Sequence, residues 1–190
     1  MYVYISPDNK YSIITAPRAG STTLENTLIT NRISTIAKHI GYIPADNGWD
    51  IDNDAVLTTE HSIAILRHPV SRLWSAYKAA HKQQGNKHSF MEEHTKPWIY
   101  DFYVRCEGLQ KFPYIIPFSA MSDYFPTVYG LPTGPECMDY DDQTLHLIRW
   151  YIPTGEKVFN REIEYYEKMM SRCEVLPLEL YHQLRETSYE

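Results

Sequence analysis

The chain has 190 residues, enough for one domain with a small appendage, and at 43% hydrophobic and 14% aromatic it can bury a core, which argues against global disorder. A net charge of −6, with no run of lysines or arginines, argues against a long polyanion as partner, whether DNA, RNA or a heavily sulfated glycan. No apolar run reaches bilayer length, and the opening Met-Tyr-Val-Tyr-Ile-Ser lacks the basic and apolar regions of a secretion signal, so a cytoplasmic protein with no membrane partner is expected.

Residues 2–16 read as a hairpin. Tyr2–Ser6 and Tyr11–Thr15 are β-prone, and Pro7-Asp8-Asn9-Lys10 between them is a turn sequence. A helix is predicted from about Ser21 to Asn31, with Leu24 and Leu28 one turn apart. Arg32–Ile40 reads as a strand or a short helix, its β-branched Ile33, Thr35 and Ile36 favouring strand, and Gly41–Asp54 reads as a loop. Ile63-Ala-Ile-Leu66 is a short all-apolar run, the pattern of a parallel strand covered on both faces. A helix follows, with Val70, Leu73, Trp74, Tyr77 and Ala80 on one face and Pro69 in its first turn.

Gln83–Lys87 is a polar loop, and Ser89-Phe-Met-Glu92 matches a capping box that opens a helix. Pro97 breaks or restarts it, and the helical pattern then runs to about Cys106. Residues 112–135, rich in Pro, Gly and Tyr, read as irregular with at most short strands. Leu145–Tyr151 reads as a strand. Asn160 to about Arg172 reads as a helix with Ile163, Tyr166, Met169 and Met170 inward and Glu162, Glu164 and Glu167 on a solvated side, and a last short helix follows Pro177. The strand-helix-strand-helix order over residues 11–82 predicts a parallel βαβ core. The fold expected is a single α/β domain over residues 1–190, three-layered and P-loop-like, with a mostly parallel sheet.

The three cysteines, Cys106, Cys137 and Cys173, are odd in number and include no C-x-x-C pair, so neither a disulfide framework nor a cysteine zinc site is expected. His81, His88 and His94 match no metal-ligand spacing, and no metal is expected. The sixteen tyrosines read as half-buried packing residues.

Two segments carry chemistry. The first is Pro17-Arg-Ala-Gly-Ser-Thr-Thr-Leu24, where a strand gives way to a small-residue turn and then a helix. That layout aims free backbone N–H groups and the positive end of a helix dipole at an anion. Arg18 adds a fixed positive charge, and Ala19, Gly20, Ser21, Thr22 and Thr23 sit where the donors would lie. No lysine stands near Gly20, so the turn is not a Walker A loop. The second is Leu66-Arg-His-Pro-Val-Ser-Arg-Leu-Trp-Ser-Ala-Tyr-Lys78, which contains R-x-P-x-x-R-x-x-S-x-Y. Arg67 leaves the end of a buried strand and Ser75 lies about two turns into the following helix. Both can reach the carboxyl edge of the sheet, where open α/β sheets bind ligands. His68, beside the turn, reads as a cap.

In this order the two segments resemble the sulfotransferases that use 3′-phosphoadenosine 5′-phosphosulfate (PAPS). In that family a P-[KR]-x-G-[ST]-[ST] loop binds the 5′-phosphosulfate, which Arg18, Gly20, Ser21, Thr22 and Thr23 match. A later R-x-P-x-x-R-x-x-S-x-Y segment binds the 3′-phosphate, which Arg67, Pro69, Arg72, Ser75 and Tyr77 match. The resemblance covers about residues 11–82, leaving about 83–190 as cover on the acceptor side, and the chain is shorter than most members.

The resemblance implies PAPS as co-substrate and in-line transfer of a sulfuryl group to a hydroxyl or amine of a small-molecule, carbohydrate or peptide acceptor. Many members carry lysine where Arg18 stands; the arginine variant looks like the tyrosylprotein branch. Arginine stays charged in proteins, so Arg18 would act by electrostatics, holding the 5′-phosphate and neutralising the bridging oxygen. A base is needed for the acceptor's proton. Members place a His or Glu after the strand that follows the first helix. His39 fits that place if Arg32–Ile40 is a strand, with His61 and Glu60 as fallbacks, although His61 stands at the amino edge of its strand. Two other classes compete: a P-loop-like kinase, which would need the missing loop lysine, and a non-catalytic module that binds a nucleotide or a protein on the same fold.

Overall fold

The computed structural model describes residues 2–5, 10–21, 24, 59–82, 85–125, 138–152 and 155–187. The described residues form a mixed α/β structure built on one sheet of four strands in the order β1 (Tyr2–Ile5), β2 (Tyr11–Thr15), β3 (His61–Leu66) and β4 (Tyr114–Pro117). β1 pairs antiparallel with β2, Tyr2 opposite Thr15, as the hairpin pattern predicts. β2, β3 and β4 are parallel, with Ile13 opposite Ile63 and Ile63 opposite Tyr114. The far side of β4 is met by residues 174–176: Ile115 N–H donates to the Glu174 carbonyl at 2.8 Å and Leu176 N–H to the Ile115 carbonyl at 2.9 Å.

Alternation along the strands sends apolar side chains to both faces. On one face Ile14, Ala64, Leu66 and Ile115 pack against Trp98, Phe102, Cys106, Tyr166 and Met169. On the other, Ile13, Ile63, Ile65 and Ile116 pack against Leu24, Met121, Phe125, Tyr181 and Leu184. The reading of Ile63–Leu66 as a strand covered on both sides therefore holds.

Besides a helix that opens at Ser21, seven α-helices are seen among the described residues: α1 (Pro69–Ala80), α2 (Lys87–His94), α3 (Ile99–Gly108), α4 (Met121–Tyr124), α5 (Asp142–Tyr151), α6 (Gly155–Arg172) and α7 (Leu178–Thr187). α1 begins as its sequence requires. Pro69 sits in the first turn and His68 is the N-cap, its Nδ1 accepting the Val70 N–H at 3.3 Å. Val70, Leu73, Ala76 and Ala80 are buried together with Met91 of α2, Leu147 and Ile148 of α5 and Phe159 of α6, forming a helical core separate from the two that flank the sheet.

Four sequence expectations are corrected. Leu145–Tyr151 is helical, part of α5, because Asp141 caps it: its Oδ1 accepts the Thr144 N–H at 2.8 Å, and Thr144, Leu147 and Ile148 form a buried stripe at helical spacing. Ser89 does not cap α2; Asn86 does, accepting the N–H groups of His88 and Ser89 at 3.0 and 3.4 Å, so Ser89 lies inside the helix. α6 begins at Gly155, five residues before the predicted start. Glu162 is not solvated but 3% exposed, and it caps α3 from across the interface.

Trp98, the N-cap of α3, offers no side-chain acceptor. The carboxylate of Glu162 supplies one instead, accepting the N–H groups of Trp98, Ile99 and Tyr100 at 2.9–3.0 Å. Cys106 within α3 and α7 after Pro177 agree with the pattern, whereas the described part of 112–135, read as irregular with at most short strands, holds both β4 and the short helix α4. The predicted elements at Arg32–Ile40 and Gly41–Asp54, and most of the helix from Ser21 to Asn31, lie outside the described residues. Among the described residues no helix is long and apolar enough to cross a membrane, and no group of three or more His, Cys, Asp and Glu side chains is placed to hold a metal ion.

Candidate functional site

Because β2, β3 and β4 run in one direction, Thr15, Leu66 and Pro117 end at one edge of the sheet, Thr15 opposite Ile65 and Leu66 opposite Pro117. Both motif segments leave the sheet there. The first closes a turn in which Ala19 N–H donates to the Ala16 carbonyl at 3.1 Å. Pro17 takes the second position and Arg18 the third, with φ 63°, the pattern of a type II turn. The buried Thr15 hydroxyl fastens the turn from below, donating to the Ala19 carbonyl at 2.9 Å. Gly20 has φ 87°, Ser21 is helical, and Leu24 N–H donates to the Gly20 carbonyl at 2.9 Å, so the chain enters a helix directly after the glycine.

The positive φ favours glycine at this position, and its open face is covered by side chains. A Cβ there would lie 2.6 Å from Met121 Cε and 3.4 Å from a ring carbon of Phe118. The segment that follows β4 thus packs directly on the turn.

The second segment reaches the same place. The Arg67 guanidinium donates through Nη1 to the Arg18 carbonyl at 2.7 Å and through Nε to Ser71 Oγ at 2.9 Å, and it lies 4.0 Å over the Phe118 ring. Ser75, on the same side of α1, accepts from Arg18 Nε and Nη2 at 3.3 and 3.2 Å. Residues 49 and 57 positions apart in sequence are therefore joined in one cluster. Arg18, Arg67 and Ser75 are each half-buried.

The electrostatics favour an anion. Burial pulls the Arg18 guanidinium below its ordinary value, yet an arginine stays charged at any physiological pH. Among the described residues no carboxylate pairs with it. The Arg18 guanidinium on the Ser75 hydroxyl and the Arg67 guanidinium on the Arg18 carbonyl both stand at the end of a parallel sheet, and such groups are suited to phosphate or sulfate.

The structure sorts the other sequence candidates. Ala19 is buried in the turn, and Ser21 opens the helix. Thr22, Thr23 and His39 lie outside the described residues. His61 starts β3 opposite Tyr11, with its ring 3.6 Å from Glu60. Five residues of strand put this pair roughly 17 Å from the carboxyl edge, too far to act there. Arg72 does not join the anion cluster: it is 5% exposed, donates to the Lys96 carbonyl and balances the charge of Glu162. Tyr77 turns toward Trp74, His81 and Tyr151. His68 caps α1, as expected, and rests edge-on against Tyr166.

Sequence reasoning missed Ser71, Phe118 and Met121. Ser71 lies one helical turn beyond Arg67, so its spacing was a usable signal. Phe118 and Met121 follow a strand that was hidden inside a Pro- and Tyr-rich stretch, and nothing local marks them. Compared with protein-family models, with curated proteins and with solved structures, the chain matches none.

Proposed function

We propose that this chain is a PAPS-dependent sulfotransferase on a three-layer, P-loop-like fold, with the turn after β2 and the segment after β3 holding the two ends of the nucleotide. The observation that carries this reading is the bond from Arg67 to the Arg18 carbonyl, which joins the two motif segments at the carboxyl edge of the sheet. Backbone N–H groups at Gly20 and Ser21 take the 5′-phosphosulfate, and Arg67 with Ser75 takes the 3′-phosphate.

Transfer is in-line. The acceptor oxygen or nitrogen attacks sulfur, the bond from sulfur to the bridging phosphate oxygen breaks, and adenosine 3′,5′-bisphosphate leaves with the electron pair. The protein's work is positioning and stabilisation of spreading negative charge. The acceptor's proton passes to a base, for which His39 is the candidate. A kinase on this frame lacks the loop lysine that holds transferring phosphates.

Thermal shift tests the reading, since a ligand that binds only the folded chain raises its melting point. Adenosine 3′,5′-bisphosphate at a hundredfold excess over its dissociation constant is expected to stabilise by about 2.7 kcal/mol, roughly 5–11 °C for a chain this size. ATP with magnesium is expected to do much less. Arg67→Ala, and independently Arg67→Lys, which keeps the charge but loses the fork, should remove most of the difference. Equal stabilisation by both ligands would favour the kinase, and stabilisation without sulfuryl transfer to any of a panel of alcohols, phenols, amines and sugars would favour a binding module.

A further inference from the structure

Parallel register dictates which side chains meet at the edge of the sheet. Leu66 stands opposite Pro117, so Arg67 and Phe118 are the first residues past one paired position on neighbouring strands. β4 ends at Pro117, and a short 3-10 turn over Phe118–Ala120 follows at once, leaving the Phe118 ring half-buried beside Arg67. The Arg67 guanidinium carbon lies 4.0 Å from the centre of that ring. Its Nε donates to Ser71 Oγ at 2.9 Å and its Nη1 to the Arg18 carbonyl at 2.7 Å. Stacking on a ring consumes no N–H group, so the ring holds a face of the fork while hydrogen bonds hold its edge. The turn after β2, the start of α1 and the segment after β4 therefore fix one guanidinium between them.

We propose that Phe118 and Ser71 are positioning residues for Arg67: the ring and the hydroxyl set the plane of the guanidinium before the nucleotide arrives, so that its phosphate meets an ordered fork. This rests on the sulfotransferase reading of the site and deepens it, because Phe118 belongs to a segment that neither motif contains. An arginine fixed in this way gives up little freedom on binding, whereas a loose one has to be ordered by the ligand. Leucine at position 118 keeps an apolar wall beside Gly20, where the ring lies 3.4 Å from the place of a Cβ, and loses the π face.

The test is calorimetric titration of the full chain with three probes: adenosine 3′,5′-bisphosphate, adenosine 3′-phosphate and adenosine 5′-phosphate. Phe118→Leu is expected to weaken the first two by about threefold to thirtyfold and the third by less than about twofold. Ser71→Ala, which puts a good helix former inside α1, should show the same pattern. Phe118→Tyr keeps the ring and should recover the affinity that leucine loses. A role in packing alone would neither separate the probes nor tell tyrosine from leucine. If Phe118→Leu binds the bisphosphate as the unaltered chain does, or weakens adenosine 5′-phosphate as much as adenosine 3′-phosphate, the positioning role is wrong while the sulfotransferase reading stands. If the unaltered chain binds none of the three, both fall.

Discussion

At Arg18 a long side chain sits in left-handed backbone, where the third position of the turn is ordinarily glycine or asparagine. That conformation costs an L-residue of this kind about 1–3 kcal/mol, and strain of this sort gathers at ligand-binding sites. The Arg67 bond to the Arg18 carbonyl and the Thr15 bond to the Ala19 carbonyl hold the turn against it. The sequence named Arg18, Gly20, Arg67 and Ser75 because their chemistry is stated in their residue types. It did not say which way Arg18 points, because a side-chain direction depends on a φ that no residue-type pattern records.

His68 is the residue whose titration should be felt. Burial lowers its value in the folded chain, partly opposed by the charge of Glu167. Its Nδ1 must stay unprotonated to accept the Val70 N–H. As pH falls below about 6.5, the unfolded chain takes up this proton before the folded one, so stability is full above that pH and declines beneath it. Asparagine caps helices well and does not titrate. Between pH 7.5 and 5, the melting temperature of His68→Asn is expected to fall less steeply than that of the unaltered chain. Parallel curves would show that His68 does not contribute.

At the scale of elements, apolar spacing was a good guide wherever one helix face meets one core, as in α1 and α6. It misled at α5, where Ile148, Trp150 and Tyr151 have β-forming side chains, and the decisive feature was the cap at Asp141. Glu162 was misread for a related reason. Helical spacing put it beside Glu164 and Glu167, and only the tertiary docking of α3 on α6 shows that its carboxylate closes the start of another helix. Glu162→Ala would leave three N–H groups unsatisfied and the buried Arg72 charge uncompensated. The expected loss is about 3–5 kcal/mol, a fall of roughly 10 °C in melting temperature. Glu164→Ala, which breaks only an exposed pair with Lys168, should stay within about 2 °C. Similar losses in the two variants would remove the capping role from Glu162.

At the scale of the molecule, three apolar cores among the described residues divide the work. Two clamp the sheet, and the third packs α1 against α2, α5 and α6, fixing the helix that carries Ser71 and Ser75. The buried thiols of Cys106 and Cys173, pushed up to about 12 and about 11, belong to the first core and not to any redox site. The parallel order of β2 and β3 was legible from two apolar runs separated by a helical pattern. β4 was not, because four residues of strand inside a proline-rich stretch carry too little periodicity. Yet β4 brings Phe118 under Arg67 and Met121 onto Gly20, so the strand hardest to read completes the edge on which the site stands.

The central claim is that this edge receives one adenosine carrying two phosphates. A crystal structure of the chain with adenosine 3′,5′-bisphosphate tests it most directly. The 3′-phosphate is expected within hydrogen-bonding distance of Arg67 and Ser75, and the 5′-phosphate over the backbone nitrogens at Gly20 and Ser21. A bisphosphate bound away from Arg67 and Ser75, or no binding at millimolar ligand, would contradict it.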